Sequence, residues 1–305
     1  MRIDLGFRWL SMICAIVTLV ILAGIFIELA RHSGRAFGKF GLGFIWHREW
    51  NPVTEQFGAL SSIYGTLVST AIAMLIAVPV SIVVALFLVE LAPGWLSKIV
   101  GMGVELLAAI PSIIYGMWGL FVLAPILAKY VQPALDKWTG SFPLFEGPPI
   151  GIGMLPAGLI LAVMILPFIT AVTRDVFRMV PPEMKESAHG IGSTTWEATR
   201  NVTIRYGLQG VVGAWFLGLG RALGETMAVT FVIGNSHDIF ASLYYPSNTI
   251  ASTLANEFGE VNPGYQKTYF SALIALALIL YLITVIVQIL AQMWLKRVAR
   301  TVGNR

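Results

Sequence analysis

The feature that most limits the fold of this chain is a series of six long apolar stretches that carry almost no charge. A helix that crosses a bilayer needs about 20 such residues. Only 12% of the 305 residues are charged, against about 25% in an average soluble domain. The sequence therefore predicts an all-α, polytopic membrane protein with six transmembrane helices. The six stretches are Trp9–Ile27, Leu60–Val89, Leu106–Ala128, Gly147–Thr173, Tyr206–His237 and Thr268–Leu295.

We expect one membrane domain over 1–305, because no repeat or flexible linker divides it. Its first span, about 9–29, is longer than the apolar part of a signal peptide and lacks a cleavage site, so we expect a retained anchor. The core formed by the later spans covers about 60–296. Cys14 is the only cysteine, which excludes an internal disulfide and a metal cluster held by cysteines.

Lysine and arginine residues are distributed unevenly between the two sets of loops. Alternate loops and the termini carry 12 of the 20, and the other loops carry 7. The positive-inside rule then predicts cytoplasmic termini and a cytoplasmic loop at about 174–205. The segments at about 28–59, 129–149 and 238–266 are expected outside. The last is rich in Pro, Asn and Ser and is predicted to be irregular.

The loop at about 174–205 contains signals for two helices. Pro181-Pro182 suits a first helical turn, and Gly190 and Gly192 are typical of a helix end. Thr194 and Glu197 have the spacing of a capping box that begins a second helix. A short capped helix outside the membrane favours a docking element for a soluble protein. An amphipathic helix that rests on the lipid surface fits the same residues equally well.

Arg221 and Glu225 are the two charged residues inside the fifth apolar stretch. Placing an arginine at the bilayer centre costs on the order of 2.5–3.5 kcal/mol, so such residues face protein or a wet cavity. Their spacing places both on one face of a helix, where they can form an ion pair. The pair could fix helix packing, or it could line a path on which Arg221 meets an anion. The glycines Gly218, Gly220 and Gly224 around them predict close helix approach, the last two as a GxxxG pattern.

Signatures of enzymes and of nucleotide binding are missing from the sequence. It has no G-x-x-x-x-G-K-[ST] loop, no G-x-S-x-G elbow, and no metal-ligand spacing among its four histidines. We therefore predict that the chain is not an enzyme and holds neither metal nor cofactor. Any energy for active transport has to come from a partner.

The cytoplasmic loop resembles the E-A-A-x3-G-x9-I-x-L-P signature of ABC-importer permeases. The matching residues are Glu186, Ser187, Ala188 and Gly192, followed by Val202-Thr203-Ile204-Arg205. Ser187 replaces the first alanine of that pattern, and Arg205 replaces its final proline. The resemblance implies that the helix around Glu186–Gly192 couples the chain to an ATP-binding subunit.

Three other segments make the resemblance more specific. They are 51–65, 108–125 and 218–235, the last containing GLGRALGETMAV. With the loop they cover about a third of the chain, and they are similar to the C-type permease family of phosphate-specific ABC importers. This implies a type I importer fold, a sister permease, two ATP-binding subunits that hold ATP and Mg²⁺, and an external phosphate-binding protein. It also implies a bacterial inner-membrane location, with Arg221 and Glu225 on the phosphate path or its gate.

Other functions remain open at the level of sequence. A sister phosphate permease, or a permease for sulfate or molybdate, would share the same chemistry, because these anions are all tetrahedral. An intramembrane enzyme would use Glu225 as its acid or base and would act without partners. A passive channel subunit would conduct without ATP.

Overall fold

The computed structural model describes residues 2–139 and 142–303, and this part of the chain is helical, with two isolated β-bridges and no strand. Two residues of the predicted external segment 129–149, and the last two of the chain, therefore lie outside the described residues. The helices are α1 Arg2–His32, α2 Gly34–Phe40, α3 Leu60–Leu86, α4 Gly94–Ala108, α5 Ser112–Trp118, α6 Ala124–Ile126, α7 Gln132–Thr139, α8 Met154–Arg178, α9 Pro182–Gly190, α10 Thr195–Ala198, α11 Ile204–Leu223, α12 Met227–Thr230, α13 Ile250–Glu257 and α14 Lys267–Gly303.

The all-α membrane fold predicted from the sequence is confirmed. Within the described residues, five helical stretches are long and apolar enough to cross a bilayer. Turns of π-helix extend α3 to Leu91 and join α5, α6 and α7 into one continuous rod. The five stretches are Gly6–His32, Leu60–Leu91, Ser112–Trp138, Met154–Arg178 and Lys267–Arg297.

Two predicted spans begin later than the charge gaps suggest. The third starts at Ser112 rather than Leu106, because Pro111 has no amide hydrogen and ends the preceding helix α4. It continues to Thr139, so much of the predicted external segment 129–149 is helical. The fourth starts at Met154 rather than Gly147, because the three glycines before it have positive φ angles: Gly147, Gly151 and Gly153.

The stretch Tyr206–His237 differs most from its prediction, since it is not one helix. The helix α11 has 20 residues, about 30 Å and enough to span the hydrocarbon, but it ends at Leu223. A short helix α12 follows, and Gly234 and Asn235 then have φ angles of 90° and 51°. The predicted irregular segment 238–266 also differs, because it contains α13, which begins with a capping box at Thr249.

Helix α8 forms the centre of the molecule and packs mainly on α3 and α11. Several of its buried side chains, among them Ile160, Ile165 and Ile169, belong to the largest apolar cluster. Helix α1 is the opposite case, since the most apolar part of the helix has no buried residue. An apolar helix that is exposed along its length is compatible with a lipid environment and not with water.

Helix α3 connects the two ends of the molecule. Near its first turn it packs on α13, where Ser62 lies 3.3 Å from the hydroxyl of Thr253. At its last turn, 2.7 Å separates the carboxylate of Glu90 from Lys185 of α9. The structure therefore has an α13 end and an α9 end, separated by the length of α3.

Helix α4 is tied to the α9 end by arginines of α8. Arg174, whose side chain is 5% exposed, donates to Glu105 of α4 at 2.6 Å and to Asp175 at 3.0 Å. Gly101 allows this, because a Cβ atom there would overlap the guanidinium. The opposite face of α4 exposes apolar side chains, which are Trp95, Ile99, Met102 and Leu106.

We expect Gly65→Ala to destabilise the chain, because a Cβ atom at Gly65 would overlap the backbone carbonyl of Asn248. Overpacking of this kind costs about 1–3 kcal/mol. The matched control is Gly103→Ala in α4, where a Cβ atom meets nothing within 4 Å and helix propensity improves. Thermal unfolding in detergent measures both variants. Equal melting temperatures would contradict the close contact between α3 and the segment that leads into α13.

Candidate functional site

Arg221 lies in the last turn of α11, half-buried among the membrane helices. Its guanidinium carbon is 5.5 Å from the centroid of the Phe168 ring on α8. A cation over an aromatic face is stabilised by about 0.5–2 kcal/mol, more where water is scarce. The contact holds one face of the guanidinium and consumes none of its five hydrogen-bond donors.

The ion pair that the sequence spacing of Arg221 and Glu225 allows does not form. In the described part of the chain no ion pair joins them, because α11 ends at Leu223 and Glu225 lies beyond its cap, Gly224. The Glu225 carboxylate instead accepts a hydrogen bond from the amide of Ala228 at 3.2 Å, at the start of α12. A new helix needs acceptors for its first amides, and Glu225 supplies one. Its negative charge is therefore directed toward α12.

The three predicted packing glycines behave differently from one another. A Cβ atom on Gly218 would lie 2.6 Å from the side chain of Ile169, so α11 approaches α8 closely there. At Gly220 the nearest atom is the side-chain amide of Gln288, at 3.3 Å, and at Gly224 it is a carbonyl of its own chain segment. The GxxxG pattern therefore does not form one contact surface, because its second glycine is outside the helix.

The break after α11 is covered by α5. A Cβ atom on Gly116 would lie 2.9 Å from Phe231 and 3.0 Å from the Cα of Ala228. Non-helical backbone is tolerated at membrane depth only where protein or water satisfies it, and the close approach of α12 to Gly116 provides that cover. Sequence reasoning missed Gly116 and Phe168, since neither forms a motif with Arg221.

The loop between α8 and α11 forms the two short helices that the sequence predicts. Helix α9 has Pro182 in its first turn and ends at Gly190, and none of its residues is buried. Gly192 follows with a φ of 91° in open space, so its conformation alone requires glycine there. The exposed side chains of this loop include Glu186, Ser187, Met184 and Ile191, the last 86% exposed.

The capping box at Thr194 and Glu197 is confirmed. The Glu197 amide donates to the Thr194 hydroxyl at 3.3 Å, and the Glu197 carboxylate accepts from the Thr194 amide at 2.8 Å. The backbone hydrogen bond from Thr194, followed by that from its hydroxyl, lowers the pKa of Glu197. The capping box fixes the start of α10, from which the chain continues without interruption into α11.

A second polar cluster, at the α13 end, was not predicted. The carboxylate of Glu257 accepts hydrogen bonds from Trp50 at 2.8 Å and Tyr269 at 2.7 Å, and it lies 3.0 Å from the His237 ring. Asn248 lies 2.6 Å from the other ring nitrogen of His237. Burial acts to raise the pKa of Glu257, but these hydrogen bonds outweigh it and lower the pKa. The cluster joins the loop before α3 to α13 and α14.

Three or more candidate metal ligands do not come together anywhere in residues 2–139 and 142–303. What the site offers chemically is a half-buried guanidinium at a helix break and, at the α9 end, an exposed helix followed by a capping box. The first can contact an oxyanion through several N–H groups. The second can enter a groove on another protein.

Solved structures share this fold. One chain of a bacterial alginate ABC transporter, solved with its alginate pentasaccharide-bound periplasmic protein, matches with a TM-score of 0.62 over 97% of this chain and 96% of that one, at 16% identity. A chain of the inward-facing MetNI methionine ABC transporter matches with a TM-score of 0.53 over 79% and 94%, at 18% identity. At these identities the likeness concerns the type I ABC importer permease fold alone.

Sequence comparison identifies the family. The model described as binding-protein-dependent transport system inner membrane component matches residues 59–300, and the chain belongs to this family. A phosphate transport system permease protein PstC from Pasteurella multocida is 51% identical over 307 residues, with 99% of this chain and 95% of the relative covered. The protein of the same name from Mesorhizobium japonicum is 54% identical, with 98% and 92% covered.

We expect Glu257 to make the α13 end sensitive to acid. Since its pKa is lowered on folding, its carboxylate stabilises the fold fully above the ordinary value of 4.5, and this stabilisation is lost as the pH falls through the lowered value. The Glu257→Gln variant cannot titrate there, so its melting temperature should fall less steeply between pH 5 and pH 3. If the melting temperatures of the two proteins fall equally over that pH range, the assignment is contradicted.

Proposed function

We propose that this chain is a membrane-spanning permease subunit of an ATP-driven importer of inorganic phosphate. It forms the translocation path with a sister permease, in the inner membrane of a bacterium and with both termini in the cytoplasm. Two ATP-binding subunits dock at the α9 end, and a phosphate-binding protein docks at the α13 end. Phosphate as the substrate is supported by the relatives named PstC, which are about half identical over nearly the whole chain.

The observation that carries the proposal is the state of Arg221. A guanidinium at membrane depth, held over Phe168 and not paired with Glu225, can offer two parallel N–H groups to a tetrahedral oxyanion. The Arg221 side chain is half-buried, so phosphate binds to it briefly and is released. Glu225, used as a helix cap, does not cancel the charge of Arg221.

The α9 loop is the part through which ATP hydrolysis acts. Helix α9 carries Glu186, Ser187 and Ala188, and Gly192 follows it. This loop is exposed, and Pro182 and Gly190 fix where its helix begins and ends. Closure of the ATP-binding subunits displaces α9, and α11 carries this displacement toward Arg221. This chain contributes no ATP site, so ATP and Mg²⁺ are held by the partners.

The proposal is tested in proteoliposomes that contain this chain, the sister permease and both ATP-binding subunits, with the binding protein outside and ATP inside. The proposal is supported if uptake of labelled phosphate requires ATP and is not inhibited by sulfate or molybdate. Uptake inhibited by sulfate or molybdate instead would assign another oxyanion. Conductance or catalysis by the chain alone would support a channel or an intramembrane enzyme.

We expect Arg221→Gln to lower phosphate uptake at least about tenfold, the loss of one charge-assisted contact of about 1.5–3 kcal/mol. Arg221→Lys keeps the charge and should retain more uptake, yet less than wild type, because a lysine cannot bind bidentately. Co-purification of the four subunits shows that each variant assembles. Normal uptake by an assembled Arg221→Gln complex would remove Arg221 from the path.

We expect Gly192→Leu to uncouple ATP hydrolysis from uptake, because a φ of 91° strains a leucine and tilts α9 away from its partner. Gly192→Asn is the matched variant, since asparagine tolerates positive φ better than other side chains. Its ratio of phosphate imported to ATP hydrolysed should lie closer to the wild-type value. Equal ratios for both variants would show that the backbone shape of this loop does not matter for coupling.

A further inference from the structure

Glu90 occupies a position that no sequence motif indicates. It lies in the turn Phe87–Leu91, which extends α3 at the α9 end, and its side chain is only 13% exposed. One of its oxygens, Oε1, accepts a hydrogen bond from Lys185 Nζ at 2.7 Å and another from the Thr203 hydroxyl at 2.8 Å. A single carboxylate oxygen therefore joins the end of α3, the exposed helix α9 and the turn that leads into α11.

The contact is the principal polar attachment of α9. None of the residues of α9 is buried. In the described part of the chain, the only ion pair of α9 is the one between Lys185 and Glu90. The two side chains are largely shielded from water, at 23% and 13% exposure, so the attraction is screened less than in a surface pair. Removal of one partner would leave a poorly solvated charge behind. The exposed pair Lys39–Glu55, at 42% and 47%, is a pair of the ordinary weak kind.

Two of the three connected segments are π-helical at the point of contact. Glu90 belongs to the π turn Phe87–Leu91 and Thr203 to the π turn Thr199–Thr203. Such turns are rare and are found often at functional sites. A π turn holds one residue more than an α turn, so it can shift along a helix without breaking the hydrogen-bonded rod. The junction thus combines a strong attachment with two helices that can adjust their register.

We propose that Glu90 is the joint through which displacement of α9 is passed to α3 and α11. Lys185 transfers the movement of α9 to the end of α3. Thr203 transfers it to α11, on which Arg221 lies 18 residues further, about 27 Å along the axis. The inference rests on the proposed function and adds to it a positioning residue that touches neither phosphate nor ATP.

A merely structural anchor would also stabilise the chain, and the two roles differ in what a substitution changes. Loss of an anchor lowers stability and the amount of assembled complex. Loss of a joint leaves the complex assembled and hydrolysing ATP but lowers the amount of phosphate imported per ATP. The ratio of uptake to hydrolysis, measured per assembled complex, separates the two.

The experiment uses the four-subunit complex with its binding protein in proteoliposomes. For Glu90→Gln we expect ATP hydrolysis within about twofold of wild type and a ratio of phosphate to ATP at least tenfold lower. The charge-reversed double variant, Glu90→Lys with Lys185→Glu, restores the ion pair and should recover a large part of the ratio. Glu55→Gln, which breaks the exposed pair at the other end, is the control and should leave the ratio unchanged.

Thr203→Val keeps the ion pair and the size of the side chain while removing one hydrogen bond. This variant tests the proposal if the Glu90→Gln complex does not assemble. We expect a smaller loss, about threefold, in its ratio. An unchanged ratio in an assembled Glu90→Gln complex, or in Thr203→Val if only that variant assembles, overturns the joint while leaving the proposed function intact. A wild-type complex that imports no phosphate with ATP contradicts the proposed function and removes the inference with it.

Discussion

Every backbone amide and carbonyl within the hydrocarbon must find a partner inside the protein, and the architecture of this chain follows from that requirement. Long helices meet it over most of the sequence. Buried hydroxyls in α3 follow the same rule, because Thr66 and Ser69 donate to the carbonyls of Ser62 and Gly65 at 2.7 Å. Where the chain departs from helix, after Leu223, a carboxylate caps the next helix and α5 covers the break. Arg221 is placed at the edge of that break, half-buried and with its guanidinium over the Phe168 ring.

The two ends of α3 carry polar clusters built on the same plan. At the α13 end, Glu257 collects hydrogen bonds from three side chains that come from separate segments. At the α9 end, Glu90 collects two from separate segments. Each carboxylate replaces lost hydration with several donors, which is what partly buried charges require. Helix α3 is thereby attached directly at the α9 end and through the loop before it at the α13 end, and α11 packs beside it.

The local features were predictable to the extent that their causes are local. Prolines, glycines and capping residues act within one or two turns, so the helix limits around Pro182, Gly190 and Thr194 follow from the sequence. The absence of an ion pair between Arg221 and Glu225 could not be predicted in this way, because its cause is not local. The rule for residues four apart assumes an unbroken helix, and whether a glycine ends a helix depends on what covers the exposed backbone. The position of α12 against Gly116 decides that, and it is a tertiary contact.

By itself the sequence determined that the chain is a bundle of membrane helices with an exposed, capped loop, and the resemblance of its motifs correctly indicated an importer permease. Charge density and periodicity depend on nearby residues alone. Membrane insertion depends on the same local properties, so it can be predicted from the sequence. Only the tertiary structure decided which polar groups meet. Glu90 and Lys185 are 95 positions apart, and Trp50 and Glu257 are 207 apart. Contacts of that kind depend on how whole helices pack, because a buried carboxylate is stable only where folding brings its donors together.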